Sequence, residues 1–149
     1  MKPNELTAPD IDRLVVDLAD QGEFRVHRDV FRDPAVFELE MKYIFERNWV
    51  FVGLESQAPE PNDYFTTWVG RQPIIVARDK QGTLGAFVNS CSHKGARIAH
   101  HRDGNAKQWV CSYHGWAYDT AGQCIYIKDQ DAGCYAEPFN KLDHNLRKV

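Results

Sequence analysis

Apolar residues recur along residues 9–21 with the period of an α-helix. They stand at Ile11, Leu14, Val15 and Leu18. Spacings of three and four gather such side chains on one face of a helix, and the Gly22 that follows is typical of a helix end. The pattern predicts a first helix over residues 9–21, followed by a short extended piece in FRVHRDVF.

A second helix is predicted by its capping residues and its apolar face. Asp33 offers an N-cap side chain, and Pro34 suits the first helical position, where no amide hydrogen is needed. The apolar face that follows collects Phe37, Met41, Ile44 and Phe45. We expect this helix to end near Asn48, so residues 1–48 are predicted to form an N-terminal helical segment.

From Trp49 onward the apolar residues fall in short runs rich in β-branched and aromatic side chains. Pro, Gly, Asn and Asp separate the runs, which favours antiparallel strands joined by tight turns. The predicted strands are WVFVGL, DYFTTWVG, PIIVARD, LGAFVNS, QWVCS, WAYD and CIYIKD. Turns are expected at residues 80–82 and in DTAGQ. We therefore predict an α+β chain that is mainly β, with an antiparallel β-barrel or sandwich over residues 49–149.

Composition and charge exclude several classes of protein. A chain of 149 residues is long enough for one domain with its own core. A net charge of −3 argues against a dedicated nucleic-acid-binding protein, which needs a basic surface. No apolar run approaches the roughly eighteen residues of a membrane span, so no membrane partner is expected. The start, MKPNELTAPD, lacks the apolar stretch of a secretion signal, which predicts a cytoplasmic protein with reduced Cys residues.

Two short motifs each join one Cys to one His, Cys91-x-His93 in CSHKG and Cys111-x-x-His114 in CSYHG. A structural zinc accepts two Cys and two His, but about two to four residues usually separate the ligands of a pair. A Rieske [2Fe–2S] cluster takes two Cys on one iron and two His on the other, so two loops that each offer one of both suit it. The motifs favour such a cluster, and a zinc site or four unrelated core residues stay as alternatives.

Around these motifs the sequence resembles the Rieske domain of aromatic-ring-hydroxylating dioxygenase α (large) subunits. The pieces CSHKGA and CSYHGWAYD carry the likeness at the motifs. It extends over nearly the whole chain through VFRDPAVFELEMKYIFERNWVFVGLESQ, NDYFTTWVGRQPIIVARDKQGTLGAFVNSCSH and GCYAEPFN. Three pieces are most similar to the benzoate, toluate and halobenzoate dioxygenase branch, namely NDYFTTWVGRQPI, HRDGN and KDQDAGCY.

The resemblance implies a Rieske-type 2Fe-2S cluster held by Cys91, His93, Cys111 and His114. It also implies electron transfer from an NADH-dependent flavin/iron–sulfur reductase to a mononuclear non-haem iron that dihydroxylates a benzoate-like aromatic ring. In such subunits that iron lies in a separate catalytic domain, which would begin where this chain stops at Val149. We therefore expect an oxidoreductase component with no catalytic residue of its own. Its expected neighbours are oxygenase subunits in a homotrimer or an α3β3 assembly.

A free-standing Rieske-type ferredoxin is the alternative function. Such a carrier has no catalytic domain and needs only the β-rich portion, so it would begin near Trp49. The N-terminal segment of this chain is not required by a ferredoxin and matches the oxygenase pattern, which favours the first interpretation.

Three aromatic or hydroxyl side chains of the second motif are candidates for a role at the cluster. Trp116 either shields the cluster from water or closes the core as an ordinary aromatic residue, and the two roles are compatible. Tyr113 and Ser112 are candidate hydrogen-bond donors to the cluster sulfurs, with plain packing as the alternative.

Two Cys and two Arg residues outside the motifs have simpler interpretations. Cys124, in a predicted strand, and Cys134, in a loop, are expected to be inert thiols rather than a disulfide. Arg97 and Arg102 either contribute to a docking face for an acidic redox partner or are ordinary solvated surface.

Overall fold

The structure is a computed structural model that describes residues 11–136 and 138–149. It falls into two units, Met1–Val50 and Phe51–Val149. Within the described ranges, no helix has the length and apolar character needed to cross a membrane.

The first unit opens with a β-hairpin rather than the predicted helix. Strand β1, Val15–Leu18, pairs antiparallel with strand β2, Glu23–Val26, through a turn that ends at the left-handed Gly22. The helix predicted over residues 9–21 is therefore wrong from residue 15 onward, and its residues 9 and 10 lie outside the described ranges. The run VVDL is β-branched and short, so pairing with EFRV outweighs its weak helical period.

The predicted second helix is present, with a change of winding in its last turns. Helix α1, Pro34–Glu40, starts as expected, because the Asp33 carboxylate accepts a 2.8 Å hydrogen bond from the Ala35 amide. A π-helical turn, Met41–Phe45, follows. Of the expected apolar face only Met41 is buried, whereas Phe37, Ile44 and Phe45 are exposed, and Val36 is buried instead.

The second unit contains a four-stranded antiparallel sheet in the order β5-β4-β3-β6. Its strands are β3, Asp63–Val69; β4, Gln72–Arg78; β5, Leu84–Val88; and β6, Asp103–Asn105. The first three confirm the predicted runs, and the expected turn at residues 80–82 closes with a hydrogen bond from the Asp79 amide to the Thr83 carbonyl. Strand β6, sequence DGN, was not predicted, because it has no apolar residue to mark it.

A three-stranded antiparallel sheet in the order β7-β8-β9 completes the second unit. Its strands are β7, Gln108–Val110; β8, Ala117–Asp119; and β9, Cys124–Tyr126. The mainly β, antiparallel class is confirmed, but the described residues form separate sheets rather than a closed barrel. The run WVFVGL is not a strand and leads without regular structure to a 3₁₀ turn, Glu55–Gln57.

The main core joins side chains from both sheets to the Cys residues of the two motifs. Its fully buried members are Tyr64, Ile75, Ala77, Phe87, Cys91, Ile98, Ala99, Trp109, Cys111, Trp116, Tyr118, Cys124, Ile127 and Leu146. A second cluster contains Ala58, Phe65, Ile74, Val76 and Val88. Strand β4 contributes alternate residues to the two clusters, as the period of a strand requires. The motif Cys residues are therefore anchored in the packed interior.

A buried amide side chain fixes the chain just before the first motif. Asn89 is almost completely buried and accepts hydrogen bonds from the amides of Ile98 and Ala99 at 3.1 and 3.0 Å. The side-chain nitrogen of Asn89, Nδ2, donates to the Ala99 carbonyl at 2.8 Å. Because each polar atom has a partner, this buried side chain stabilises the return of the chain past the motif.

Replacement of Gly122 by Ala should destabilise the fold strongly. Gly122 has a φ of +78°, and an added Cβ would lie 2.4 Å from the ring of buried Phe87. Gly82, at a φ of +88°, has nothing within 4 Å of the same atom and is the matched control. We expect Gly82→Ala to cost about 1 kcal/mol of backbone strain. Gly122→Ala should cost ~2–4 kcal/mol, because overpacking adds to the same strain.

Urea titration of the two variants measures this difference in the free energy of unfolding. Equal losses for the two Gly→Ala variants would show that Phe87 moves freely, contrary to the packing described.

Candidate metal centre

The first motif forms a tight loop, residues 91–96, that follows strand β5. The Cys91 amide donates a 2.8 Å hydrogen bond to the Ala96 carbonyl, and the Gly95 amide donates back to the Cys91 carbonyl at 2.8 Å. Gly95 has a φ of +76°, which a residue with a side chain adopts only under strain. The loop therefore closes on its own Cys and carries His93 at its tip.

The second motif, residues 111–116, repeats this backbone arrangement between strands β7 and β8. The Cys111 amide donates to the Trp116 carbonyl at 2.8 Å, and the Gly115 amide donates to the Cys111 carbonyl at 2.9 Å. Gly115 has a φ of +70°, close to its counterpart in the first loop. The two loops are thus equivalent in backbone, although the His is the third residue of the first loop and the fourth of the second.

The loops bring the two motif His residues into contact. The ring centroids of His93 and His114 are 4.6 Å apart, with the ring planes at 78°. Two of the four motif residues are therefore in direct contact, which favours a shared site over unrelated core positions. The difference of one position between the loops lets the two imidazoles meet edge to face.

His93 is the more enclosed of the two rings. It is half-buried and lies parallel to the Trp116 indole, with centroids 4.7 Å apart and planes at 13°. Its Nδ1 is buried and has no hydrogen-bond partner. Burial lowers the pKa of His93, and the nearby charges of His114, Lys94 and His144 act in the same direction. A neutral imidazole with a free nitrogen is the form that binds a metal ion.

His114 has the opposite environment, since its side chain is exposed at the loop tip. Its closest aromatic neighbour besides His93 is Tyr113, at 5.5 Å between ring centroids, and Tyr113 is itself 73% exposed. Tyr113 therefore lies on the outer side of the centre, and the hydrogen bonds expected from Tyr113 and Ser112 to cluster sulfurs stay predictions.

The motif Cys residues are free thiols in the core, and a buried tyrosine contacts one of them. The hydroxyl of Tyr118 lies 3.2 Å from the Cys91 Sγ and accepts a 3.0 Å hydrogen bond from the Ser92 amide. Either atom can be the donor in the contact with a free thiol, whereas a Cys91 thiolate can only accept, so the Tyr118 hydroxyl would donate to a metal-bound sulfur. Burial raises the pKa of Tyr118, and the contact with Cys91 adds to this, so the phenol remains a donor at neutral pH.

Trp116 belongs to an aromatic cluster, which we call the aromatic cover, formed by Trp116, Tyr135, Phe139 and His144. The indole Nε1 donates to the Tyr135 hydroxyl at 3.3 Å, and the His144 ring meets the indole edge at 5.2 Å. Phe139 lies parallel to His144, with centroids 4.8 Å apart. Trp116 is thus a core aromatic residue, as one interpretation expected, and it covers one face of His93. Its shielding of a cluster from water stays a prediction.

Two contributors to the centre were not identified from the sequence. Tyr118 is 27 positions from the Cys91 sulfur that it contacts, and His144 is separated from the motifs by strand β9 and a loop. Neither has a local pattern that indicates a role, because both contacts depend on how the β-rich unit packs.

The remaining Cys residues stand outside the loops. Cys124 is buried in strand β9, and burial raises the pKa of its thiol, which favours the inert protonated form. Cys134 is exposed, and both residues are free, so no disulfide joins them.

The donor atoms of the two loops fit an iron–sulfur cluster of the Rieske type. The loops offer two buried thiols and two imidazoles, one of which has an unpartnered buried nitrogen. Within residues 11–136 and 138–149, no group of three or more His, Cys, Asp or Glu side chains converges as a site for a metal ion. Two thiols for one iron and two imidazoles for the other are the ligand set of a Rieske centre.

Comparison with known proteins gives the same assignment. The family described as Rieske [2Fe-2S] domain matches residues 48–141. The chain is 46% identical over 140 residues to toluate 1,2-dioxygenase subunit alpha from Pseudomonas putida, covering 93% of this chain and 31% of that protein. It is 43% identical over 129 residues to the 2-halobenzoate 1,2-dioxygenase large subunit from Burkholderia cepacia, covering 86% and 28%.

A solved structure agrees with these relatives. The crystal structure of naphthalene 1,2-dioxygenase from Rhodococcus sp. bound to indole superposes with a TM-score of 0.77 at 32% identity, covering 83% of this chain and 28% of that chain. The chain spans less than a third of the length of each of these relatives.

These matches confirm the predicted resemblance to dioxygenase large subunits of the benzoate and toluate branch, and they confirm the [2Fe–2S] cofactor class. The chain therefore belongs to the Rieske [2Fe–2S] domain family and is related, over the matched portion, to the large subunits of aromatic-ring dioxygenases.

Proposed function

We propose that the chain holds a [2Fe–2S] cluster, with Cys91 and Cys111 on one iron and His93 and His114 on the other. The observation that carries this proposal is the contact of the two His rings at 4.6 Å beside a buried Nδ1 without a partner. When bound, the cluster supplies a one-electron redox couple. The function proposed for the chain is electron transfer within a ring-hydroxylating oxygenase.

The side chains around the two loops support different roles for the two His residues. His93 is covered by Trp116 on one ring face, so solvent and large partners have little access to it. His114 is exposed, and it is the ring of the pair that a partner protein can touch. We assign His114 as the point at which electrons enter or leave the chain, and Trp116 as the residue that keeps water from His93.

The wider role is proposed from the relatives. Their names call them subunits of toluate and 2-halobenzoate dioxygenases, so a benzoate-like aromatic acid is the proposed substrate of the complete enzyme. The proposed electron donor is an NADH-dependent flavin/iron–sulfur reductase. The proposed acceptor is a mononuclear non-haem iron in a catalytic domain, within an assembly of oxygenase subunits in the cytoplasm. No residue of this chain is assigned a catalytic role.

The extent of the match favours an oxygenase component over a free-standing ferredoxin. Similarity to the toluate dioxygenase subunit covers 93% of the chain, whereas the Rieske family itself covers residues 48–141. The N-terminal residues are thus shared with an oxygenase subunit, and a ferredoxin does not need them. We accordingly propose residues 49–149 as the cluster-binding domain and residues 1–48 as a segment that belongs to the oxygenase.

Purified protein should contain two irons and two acid-labile sulfides per chain, with a Rieske-type electron paramagnetic resonance signal after reduction. Cys111→Ser should abolish the signal, because a motif thiolate is lost. Cys124→Ser is the matched control, since Cys124 is equally buried but outside the loops, and it should leave the signal intact. Metal analysis, sulfide analysis and magnetic resonance measure the outcome.

A colourless protein with one zinc per chain would refute the cluster and restore the zinc interpretation of the motifs. Loss of the signal in Cys124→Ser would instead show that the ligand assignment is wrong.

Tyr118→Phe should lower the midpoint potential of the cluster. Its hydroxyl lies 3.2 Å from the Cys91 sulfur and would donate to it once the sulfur is a thiolate ligand. Such a bond favours the reduced form, which carries more negative charge. A hydrogen bond of ~1 kcal/mol corresponds to roughly 40 mV for a one-electron couple. Tyr64→Phe is the control, because Tyr64 is also a buried core tyrosine and makes no contact with a motif sulfur among the described residues.

Redox titration followed by circular dichroism measures both potentials. If Tyr118→Phe and Tyr64→Phe have the same potential as the unmodified chain, the Tyr118 hydroxyl does not act on the cluster.

A further inference from the structure

Positive charge is concentrated in the part of the chain that carries the two loops. Residues 91–116 contain four Lys or Arg and a single acid, whereas the whole chain has 18 Lys and Arg against 21 Asp and Glu. Three of the four cations, Lys94, Arg97 and Arg102, lie in residues 94–102, which we call the basic segment. All three are exposed, and none makes an ion pair with a carboxylate of the described residues.

One cation of the basic segment is held against an exposed aromatic ring. The guanidinium carbon of Arg97 lies 5.4 Å from the ring centroid of Trp68, which is 57% exposed on strand β3. This cation–π contact orients Arg97 without neutralising its charge. Trp and Arg are also the residues most enriched among those that dominate the energy of protein interfaces.

Hydrogen bonds fix the rest of the basic segment to the folded unit. The Thr66 amide donates to the Arg102 carbonyl at 2.7 Å, and the Thr66 hydroxyl donates to the His101 carbonyl at 3.2 Å. The buried Asn89 side chain holds the backbone of residues 98 and 99. A charged surface that is already ordered loses little conformational entropy when a partner binds.

The basic segment is continuous with the centre. Lys94 belongs to the first loop and directly follows His93, whose ring contacts the exposed His114. Arg97 follows Ala96, the residue that closes the first loop. A protein seated on these cations is therefore next to the loops through which electrons are proposed to pass.

We propose that the basic segment, with Trp68, is the docking face for an acidic iron–sulfur electron donor. The partner's surface carboxylates approach Arg97 and Arg102, and one electron passes per encounter from the reduced partner to this chain, with no bond made or broken. This inference rests on the proposed function, and it adds the surface and the charge of the partner. Opposite charge on the two surfaces mainly increases the rate of association and sets the orientation.

The test measures binding of the full 149-residue chain, with its cluster oxidised, to an oxidised, acidic plant-type [2Fe–2S] ferredoxin by isothermal titration calorimetry. The double variant Arg97→Glu with Arg102→Glu should raise the dissociation constant ~10-fold or more at low ionic strength. This loss should shrink at high salt, because exposed charges are screened. A basic cytochrome c should not bind the unmodified chain.

A matched control changes the same charge elsewhere on the same sheet. Lys80, in the turn between β4 and β5, and Lys148, which pairs with β5 residue Phe87, are exposed near the edge opposite β6. Lys80→Glu with Lys148→Glu should leave the dissociation constant within about twofold, because salt screens the effect of exposed charges that lie away from the docking face. An equal loss in both double variants, or no effect of salt, would overturn the docking face.

Other occupants give different results. Concentration-dependent self-association in sedimentation velocity that disappears in the Arg97→Glu, Arg102→Glu variant would assign the face to a second copy. If a short DNA duplex binds the unmodified chain more tightly than the ferredoxin does, and the same variant loses this binding, the basic segment is a general polyanion site. Either result contradicts the proposal.

Reduction kinetics separate this inference from the function on which it rests. With dithionite, which needs no docking, the unmodified chain and both double variants should be reduced at the same rate. With reduced ferredoxin, Arg97→Glu with Arg102→Glu alone should be slower, by ~10-fold at low salt. If dithionite reduces the cluster and reduced ferredoxin then reduces the unmodified chain and both double variants at the same rate, only the docking face is refuted. A chain without a reducible cluster removes the proposed function as well.

Discussion

Each of the two motif loops is closed by a backbone hydrogen bond from its Cys amide to the carbonyl five residues on, and the rest of the site depends on this closure. The bond requires the penultimate residue to be left-handed, which Gly95 and Gly115 provide without steric cost. Because the Cys side chains are anchored in the core, closing the loops projects His93 and His114 outward together. A similar backbone thus produces a layered site, with sulfur inside and nitrogen outside.

The two loops are equivalent in backbone but not in surroundings, and this asymmetry gives the site a direction. Trp116 closes the second loop and covers His93 of the first, so the loops shield each other unequally. The corresponding position in the first loop is Ala96, which is too small to cover His114. The exposed ring therefore lies on one side of the centre only, and the basic segment leaves the first loop directly after Ala96.

Features set by neighbouring residues could be predicted from the sequence, and features set by distant contacts could not. The capping of α1 by Asp33 is local and occurs as expected, and the two short motifs, also local, bring His93 and His114 into contact. Residues 15–18 have a pattern compatible with either helix or strand, and pairing with β2 decides between them. Residues 103–105 form strand β6 by pairing with the edge of β3, although these residues do not themselves favour a strand. The contact of Tyr118 with the Cys91 sulfur joins strand β8 to the loop that follows β5 and has no sequence signal.

The centre and the core are the same structure, and this couples cofactor binding to folding. Cys91, Cys111, Trp116 and Tyr118 are all members of the main core cluster, so a change at the cluster is also a change in packing. Burying the His93 Nδ1 without a partner is unfavourable, and a metal ligand bond removes that penalty. Binding of a cluster would therefore stabilise the folded state through the same residues that position its ligands. The charges of the basic segment contribute little to this packing, because they are exposed and unpaired, and they are free to serve recognition instead.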